Sequence, residues 1–124
     1  MSVVVGCDLV DVADVVASID TVGDRYLRRV FTDSELARCE GPTRAQRLAA
    51  RFAAKESVIK TLVDSDAATP LHEIEVVMDG PVPGIRLSGS MAALAARKNW
   101  REPSLSLSHT ATQAMATVVV HVGV

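Results

Sequence analysis

The chain has 124 residues, 48% of them hydrophobic and 23% charged, with a formal net charge of −2. That length and composition exclude two independent cores and extended disorder, so residues 1–124 are expected to fold as one domain. The acidic balance excludes the general attraction that drives non-specific nucleic-acid binding, and 3% aromatics excludes a base-stacking platform and leaves an aliphatic core.

Residues 2–12 open with Val3, Val4 and Val5 and turn at Gly6, which predicts a strand with Asp8 in or beside it. Asp8, Asp11 and Asp14 break the apolar run, so neither a secretory signal nor a membrane span is expected. Cys7 and Cys39 form no CxxC pair and are expected to be reduced thiols of a cytoplasmic protein. Residues 13–29 have helical spacing that breaks near Gly23 and resumes from Tyr26 to Val30. Thr32 followed by Glu35 is a capping-box pattern, which starts a short helix through about Cys39, ended by Gly41-Pro42. The clearest helix runs from Thr43, its candidate N-cap, to about Val63, with Leu48, Phe52, Ile59 and Val63 as its core stripe. Asp64 to Pro70 is polar and turn-forming. Ile74–Met78 and Ile85–Leu87 are expected to form a hairpin around a Pro81–Gly84 turn. Met91–Lys98 reads as a short helix capped by Ser88 or Ser90, and segments 104–109 and 114–122 as a closing pair of strands.

Arg44, Arg47, Arg51 and Lys55 project into one arc of roughly 80° on the long helix. Such a stripe suits phosphates, which arginine grips with paired donors; the alternative is a solvated face paired with local acids. Glu56 and Lys60 sit one turn apart on another face, beside Ala49 and Ala53, whose small side chains admit a close backbone or ligand. They form either an ordinary i,i+4 salt bridge or, with Asp8 as a second carboxylate, a site for a hard divalent cation whose phosphate ligand Lys60 neutralises. Ser104 to Thr110 alternates apolar and polar residues and ends in Ser108, His109 and Thr110, either a set of phosphate donors or incidental surface. The sequence lacks a G-x-S-x-G nucleophile elbow, which gives hydrolase chemistry little support.

The chain resembles the holo-[acyl-carrier-protein] synthases, the small type of 4′-phosphopantetheinyl transferase. The matching pieces are Gly6-Cys7-Asp8-Leu9-Val10, Phe31-Thr32-Asp33-Ser34-Glu35, Arg51-Phe52-Ala53-Ala54-Lys55-Glu56-Ser57 with Lys60, and Leu105-Ser106-Leu107-Ser108-His109-Thr110. The resemblance implies an α+β fold, a small antiparallel sheet packed on a long helix, assembled as a homotrimer with active sites between subunits. It implies Mg²⁺-dependent transfer of the phosphopantetheine arm of coenzyme A to a serine of an apo acyl carrier protein, with adenosine 3′,5′-bisphosphate released. Carried over by position, Asp8 and Glu56 hold Mg²⁺ and Lys60 meets the diphosphate. Ser108, His109 and Thr110 lie at the nucleotide end, and Arg51, with Arg44 or Arg47, near the 3′-phosphate. Glu56, directly or through a water, is the expected proton acceptor, ahead of Asp33 and Glu35.

Three features depart from the family pattern. Ala13 and Asp14 stand where relatives carry a basic residue that docks the carrier protein; Arg25, Arg28 and Arg29 form either a replacement for it or a solvated face. Thr61 to Pro70 contains Asp64 and Asp66 but no glycine, and Gly80-Pro81-Val82-Pro83-Gly84 replaces a Gly-Lys-Pro turn. The competing readings are a non-catalytic protein that binds coenzyme A or a carrier protein, and a phosphohydrolase using the same metal site.

Overall fold

A computed structural model describes residues 2–64 and 69–123. In chain order the elements are β1 (Ser2–Asp11), α1 (Val12–Val22), α2 (Asp24–Val30), α3 (Asp33–Arg38), α4 (Arg44–Leu62), β2 (Ile74–Asp79), β3 (Val82–Leu87), α5 (Gly89–Arg97), β4 (Arg101–His109) and β5 (Gln113–Val122). β1, β5 and β4 form an antiparallel sheet in that spatial order, and β2 and β3 form a separate hairpin. The expected α+β class holds, and the predicted strand and helix order is observed.

Period-two alternation gives the three-stranded sheet two unlike faces. Gly6 and Val10 of β1 and Ala114, Ala116, Val118 and Val120 of β5 are buried on the face that packs α4. The opposite face presents Val3, Val5 and Leu9, each about 60% exposed, with Met115 and Val119 beside them.

Helix α4 is enclosed on more than one side, which revises its expected core stripe. Leu48 is buried as predicted, but Phe52, Ile59 and Val63 are only half-buried, and Ala49, Ala50, Ala53, Ala54, Val58 and Leu62 occupy the deepest positions. Small residues win there because the sheet backbone comes very close. A Cβ on Gly6 would fall on the Ser57 carbonyl oxygen and against the Thr61 methyl. The hydroxyl of Ser57 closes the same contact, donating to Ala116 O of β5 at 3.1 Å and to Ala53 O at 2.7 Å. Thr43 takes the N-cap position of α4, but its side chain makes no capping hydrogen bond.

The four-cation stripe is likewise not a continuous surface. Lys55 is fully buried and pairs with Glu35 at 2.7 Å, while its ammonium also donates to Leu71 O and Ile74 O. Glu35 completes the predicted capping box with Thr32 and accepts from Val76 N of β2 at 2.9 Å. Desolvation dominates and lowers the proton affinity of Lys55, with Glu35 opposing it. This pair ties α3, α4 and the hairpin together.

Two boundaries move. The hairpin turns at Gly80-Pro81 rather than Pro81–Gly84, because Gly80 at φ 59° followed by proline suits a two-residue turn, and β3 starts at Val82. Ser88 occupies the N-cap of α5 without a capping bond; Glu73 instead accepts from Met91 N at 3.0 Å and Ser90 Oγ at 2.7 Å. The Asp64–Pro70 turn expectation falls partly on residues 65–68, including Asp66, outside the described residues.

The Gly6 contact makes a direct prediction. Gly6→Ala is expected to cost about 3 kcal/mol or more, since neither backbone can yield without separating β1 from α4. Urea unfolding measures it, and a loss under about 1 kcal/mol would show that the crossing is looser than described.

Candidate active site

The close crossing of β1 and α4 determines what lies at its edge. Asp8 is two residues beyond Gly6 and therefore shares its sheet face. Glu56 precedes Ser57 on α4, whose hydroxyl bonds fix the helix on β5. Both carboxylates line one cavity of about 530 Å³, which also takes in Asp11 and Asp14 near the start of α1, Tyr26 of α2 and Phe52 of α4.

Lys60 stands one turn beyond Glu56, yet its ion pair is with Asp8 at 3.1 Å, and it also donates to Cys7 O at 2.8 Å. The i,i+4 bridge weighed from sequence is replaced because β1 brings a carboxylate and a carbonyl within the lysine's reach. The Lys60 side chain remains 53% exposed, whereas that of Asp8 is 20% exposed. Among the described residues Glu56 has neither an ion pair nor a hydrogen bond. Burial raises its proton affinity above the ordinary carboxylate range, the charge of Asp8 adds to that rise, and Lys60 partly offsets it.

Two hard oxygen donors whose charges repel each other suit a divalent cation that keeps other positions for phosphate oxygens or water. Among the described residues no group of three or more His, Cys, Asp or Glu side chains is placed to hold a metal by itself. The donor set therefore fits a cation delivered with, or completed by, an oxygen-rich ligand.

The other residues singled out from sequence lie apart from this cavity. Arg51 is buried, donates from Nη1 to Arg47 O at 3.3 Å, and leaves its buried Nε without a partner. Arg44 and Arg47 are half-buried, and Arg47 donates to Glu40 O at 3.4 Å. All three surround Cys39, whose thiol is pushed up by burial and pulled back by Arg51, Arg47 and Arg44. Strand alternation separates Ser108, which shares the outer face with Met115, from His109, which pairs with Ala114. The Thr110 hydroxyl shapes the turn before β5 by accepting from Thr112 N and Gln113 N. Glu35 is consumed in its pair with Lys55, and Asp33 lines a different pocket with Arg28 and His72, so neither reaches the Asp8–Glu56 cavity.

Sequence reasoning missed the cavity's other walls. Residue pattern marks Tyr26 as helical, Phe52 as part of a core stripe, Asp11 as a break in an apolar run and Asp14 as both such a break and a departure at a docking position, and none of these readings places them around one cavity. The three-residue offset of Asp11 and Asp14 at the start of α1 was the available signal for a shared face.

A profile of the 4′-phosphopantetheinyl transferase superfamily matches residues 4–117. The chain is 36% identical over 118 residues to the holo-[acyl-carrier-protein] synthase of Koribacter versatilis, covering 93% of this chain and 94% of that protein. It is 40% identical over 132 residues to the synthase of Chloroflexus aggregans, covering 94% of each. Its fold superposes on an ACPS–CoA complex from Chronobacterium ammoniagenes with a TM-score of 0.84, at 25% identity and 99% coverage of both chains. It superposes on the Helicobacter pylori holo-[acyl-carrier-protein] synthase in complex with coenzyme A with a TM-score of 0.82, at 27% identity, covering 95% of this chain and 100% of that one.

The raised proton affinity of Glu56 has a consequence for stability. Its folded pKa lies above the unfolded value, so the ionised carboxylate opposes folding at neutral pH and this cost disappears as acid protonates both states. Glu56→Gln is expected to raise Tm at pH 7, with the gain fading below the ordinary carboxylate range. Melting curves across that range test it, and a lower Tm at pH 7 would contradict the described environment.

Proposed function

The chain belongs to the 4′-phosphopantetheinyl transferase superfamily, and from that premise we propose that it moves the phosphopantetheine arm of coenzyme A onto a serine hydroxyl of an apo acyl carrier protein. Adenosine 3′,5′-bisphosphate is the leaving product, and the reaction serves fatty-acid or polyketide biosynthesis. The single observation that carries this reading is the Asp8–Glu56 carboxylate pair in one cavity with Lys60 at its edge. The relatives named holo-[acyl-carrier-protein] synthase and the coenzyme A bound to two similar structures support it.

In the transfer, the serine oxygen forms a bond to the phosphorus that carries the pantetheine arm, and the bond from that phosphorus to the bridging oxygen of the nucleotide breaks. The electron pair leaves with the nucleotide, so no covalent enzyme intermediate is needed. Asp8 and Glu56 are the residues that would hold Mg²⁺, which when bound neutralises diphosphate charge. Glu56 accepts the serine proton directly or through a water. Lys60, exposed and four residues further along α4, turns from Asp8 toward the diphosphate as a point charge.

The Arg51 guanidinium, with its buried unpartnered Nε, supports an anion near Arg44 and Arg47, and the 3′-phosphate is the anion we assign there. These arginines and the Ser108–Thr110 segment lie off the Asp8–Glu56 cavity within one chain. A homotrimer that buries the Val3–Val5–Leu9 face would supply them from a neighbouring subunit. Arg25, Arg28 and Arg29 are exposed on α2 and offer a cationic face to an acidic carrier protein. Among the described residues no helix is long and apolar enough to cross a membrane, and both cysteines are free; the cytoplasm suits that chemistry.

Intact mass spectrometry of apo carrier proteins incubated with the enzyme, coenzyme A and Mg²⁺ tests the proposal. A gain of one phosphopantetheinyl group is expected, abolished by EDTA and reduced at least 100-fold in Glu56→Gln, on the order of the contribution of a positioned acid–base group. Native mass spectrometry of the enzyme alone is expected to read three times the chain mass. Coenzyme A binding without transfer to any carrier would favour a non-catalytic binding protein, and coenzyme A cleavage without a carrier would favour a phosphohydrolase.

A further inference from the structure

Tyr26 is the chain's one tyrosine. It stands on α2, half-buried, its ring edge-on to Phe31 with centroids 6.2 Å apart and planes at 75°. The ring is thus fixed by packing against the core. Its hydroxyl, by contrast, has no hydrogen-bond partner among the described residues, although it belongs to a side chain lining the Asp8–Glu56 cavity. A phenylalanine would meet the packing requirement as well, so packing against the core does not account for the hydroxyl.

The cavity lining is chemically mixed. Asp8 and Glu56 supply carboxylates, while Val10, Val15 and Phe52 provide an apolar wall. Of the other neutral side-chain donors on its lining, Ser18 Oγ donates to Asp14 O at 3.0 Å, and one of the two N–H groups of Gln113 Nε2 donates to Asp11 Oδ1 at 3.3 Å. Asp11 and Asp14 are carboxylates and, when ionised, can only accept. Among the described lining residues, Tyr26 is therefore the side chain whose one donor makes no hydrogen bond. Burial raises the phenol's proton affinity, which keeps it a donor at neutral pH.

We propose that the Tyr26 hydroxyl donates a hydrogen bond to an amide carbonyl of the pantetheine arm, and so sets preference for coenzyme A over nucleotides that lack the arm. The assignment rests on the coenzyme A reading above. A neutral, amide-bearing chain matches an apolar wall beside a free hydroxyl donor, whereas a phosphate on Tyr26 would call for a cation beside it, and the described lining holds no lysine or arginine.

Calorimetric titration of the wild type and Tyr26→Phe, each in Mg²⁺, with coenzyme A and with adenosine 3′,5′-bisphosphate, tests this. Loss of one neutral hydrogen bond is expected to weaken coenzyme A binding about five-fold. Affinity for the bisphosphate, which has no arm, should be unchanged. Unchanged coenzyme A affinity, or equal weakening of both ligands through a structural effect, would overturn the assignment. Failure of the wild type to bind coenzyme A would instead overturn the function on which the assignment rests.

Discussion

The backbone contact between Gly6 of β1 and Ser57 of α4 is the constraint on which the site depends. Strand and helix can meet this closely because one carries no Cβ and the other offers small residues at Ala49, Ala53 and Ser57. The hydroxyl of Ser57 then converts proximity into register by bonding Ala116 O on the central strand. With that crossing fixed, Asp8, Glu56 and Lys60 are placed by their offsets along one strand and one helix. The candidate site thus stands on rigid elements rather than loops, which favours positional accuracy.

The interior charges obey a different logic from those at the cavity. Lys55 and Glu35 are both fully buried, but each is surrounded by complementary groups: two carbonyls for the ammonium, and the backbone N–H groups of Thr32 and Val76 for the carboxylate. Such a pair is tolerable in the core because almost every lone pair and proton finds a partner. Glu56 is the contrast. It faces burial and a like charge with only partial relief from Lys60, an arrangement that costs stability in the free protein.

Much of this architecture was legible because local patterns and tertiary needs agree. The capping box at Thr32 and Glu35, the break at Gly23 and the alternation in β4 and β5 were visible directly in the residue pattern. The fate of Lys55 was not, since helical spacing places it with Arg44, Arg47 and Arg51 but says nothing about the hairpin that closes over it. The Glu56–Lys60 spacing suggested a bridge that the approach of Asp8 displaced. Ser108, His109 and Thr110 are neighbours in sequence, yet strand alternation and a turn hydrogen bond disperse them. The first two cases were decided by contacts between separate segments, Lys55 reaching Glu35 and the hairpin and Lys60 reaching Asp8 52 residues away, and the third by strand alternation and a local turn.

If the β1–α4 crossing joins Asp8 and Glu56 into one cation site, their contributions to binding are coupled. A double-mutant cycle on Mg²⁺-dependent coenzyme A affinity, with Asp8→Asn, Glu56→Gln and the pair, tests it most directly. If both carboxylates hold one cation, the double variant should bind little worse than either single variant. Losses that simply add would show two independent groups and contradict the account.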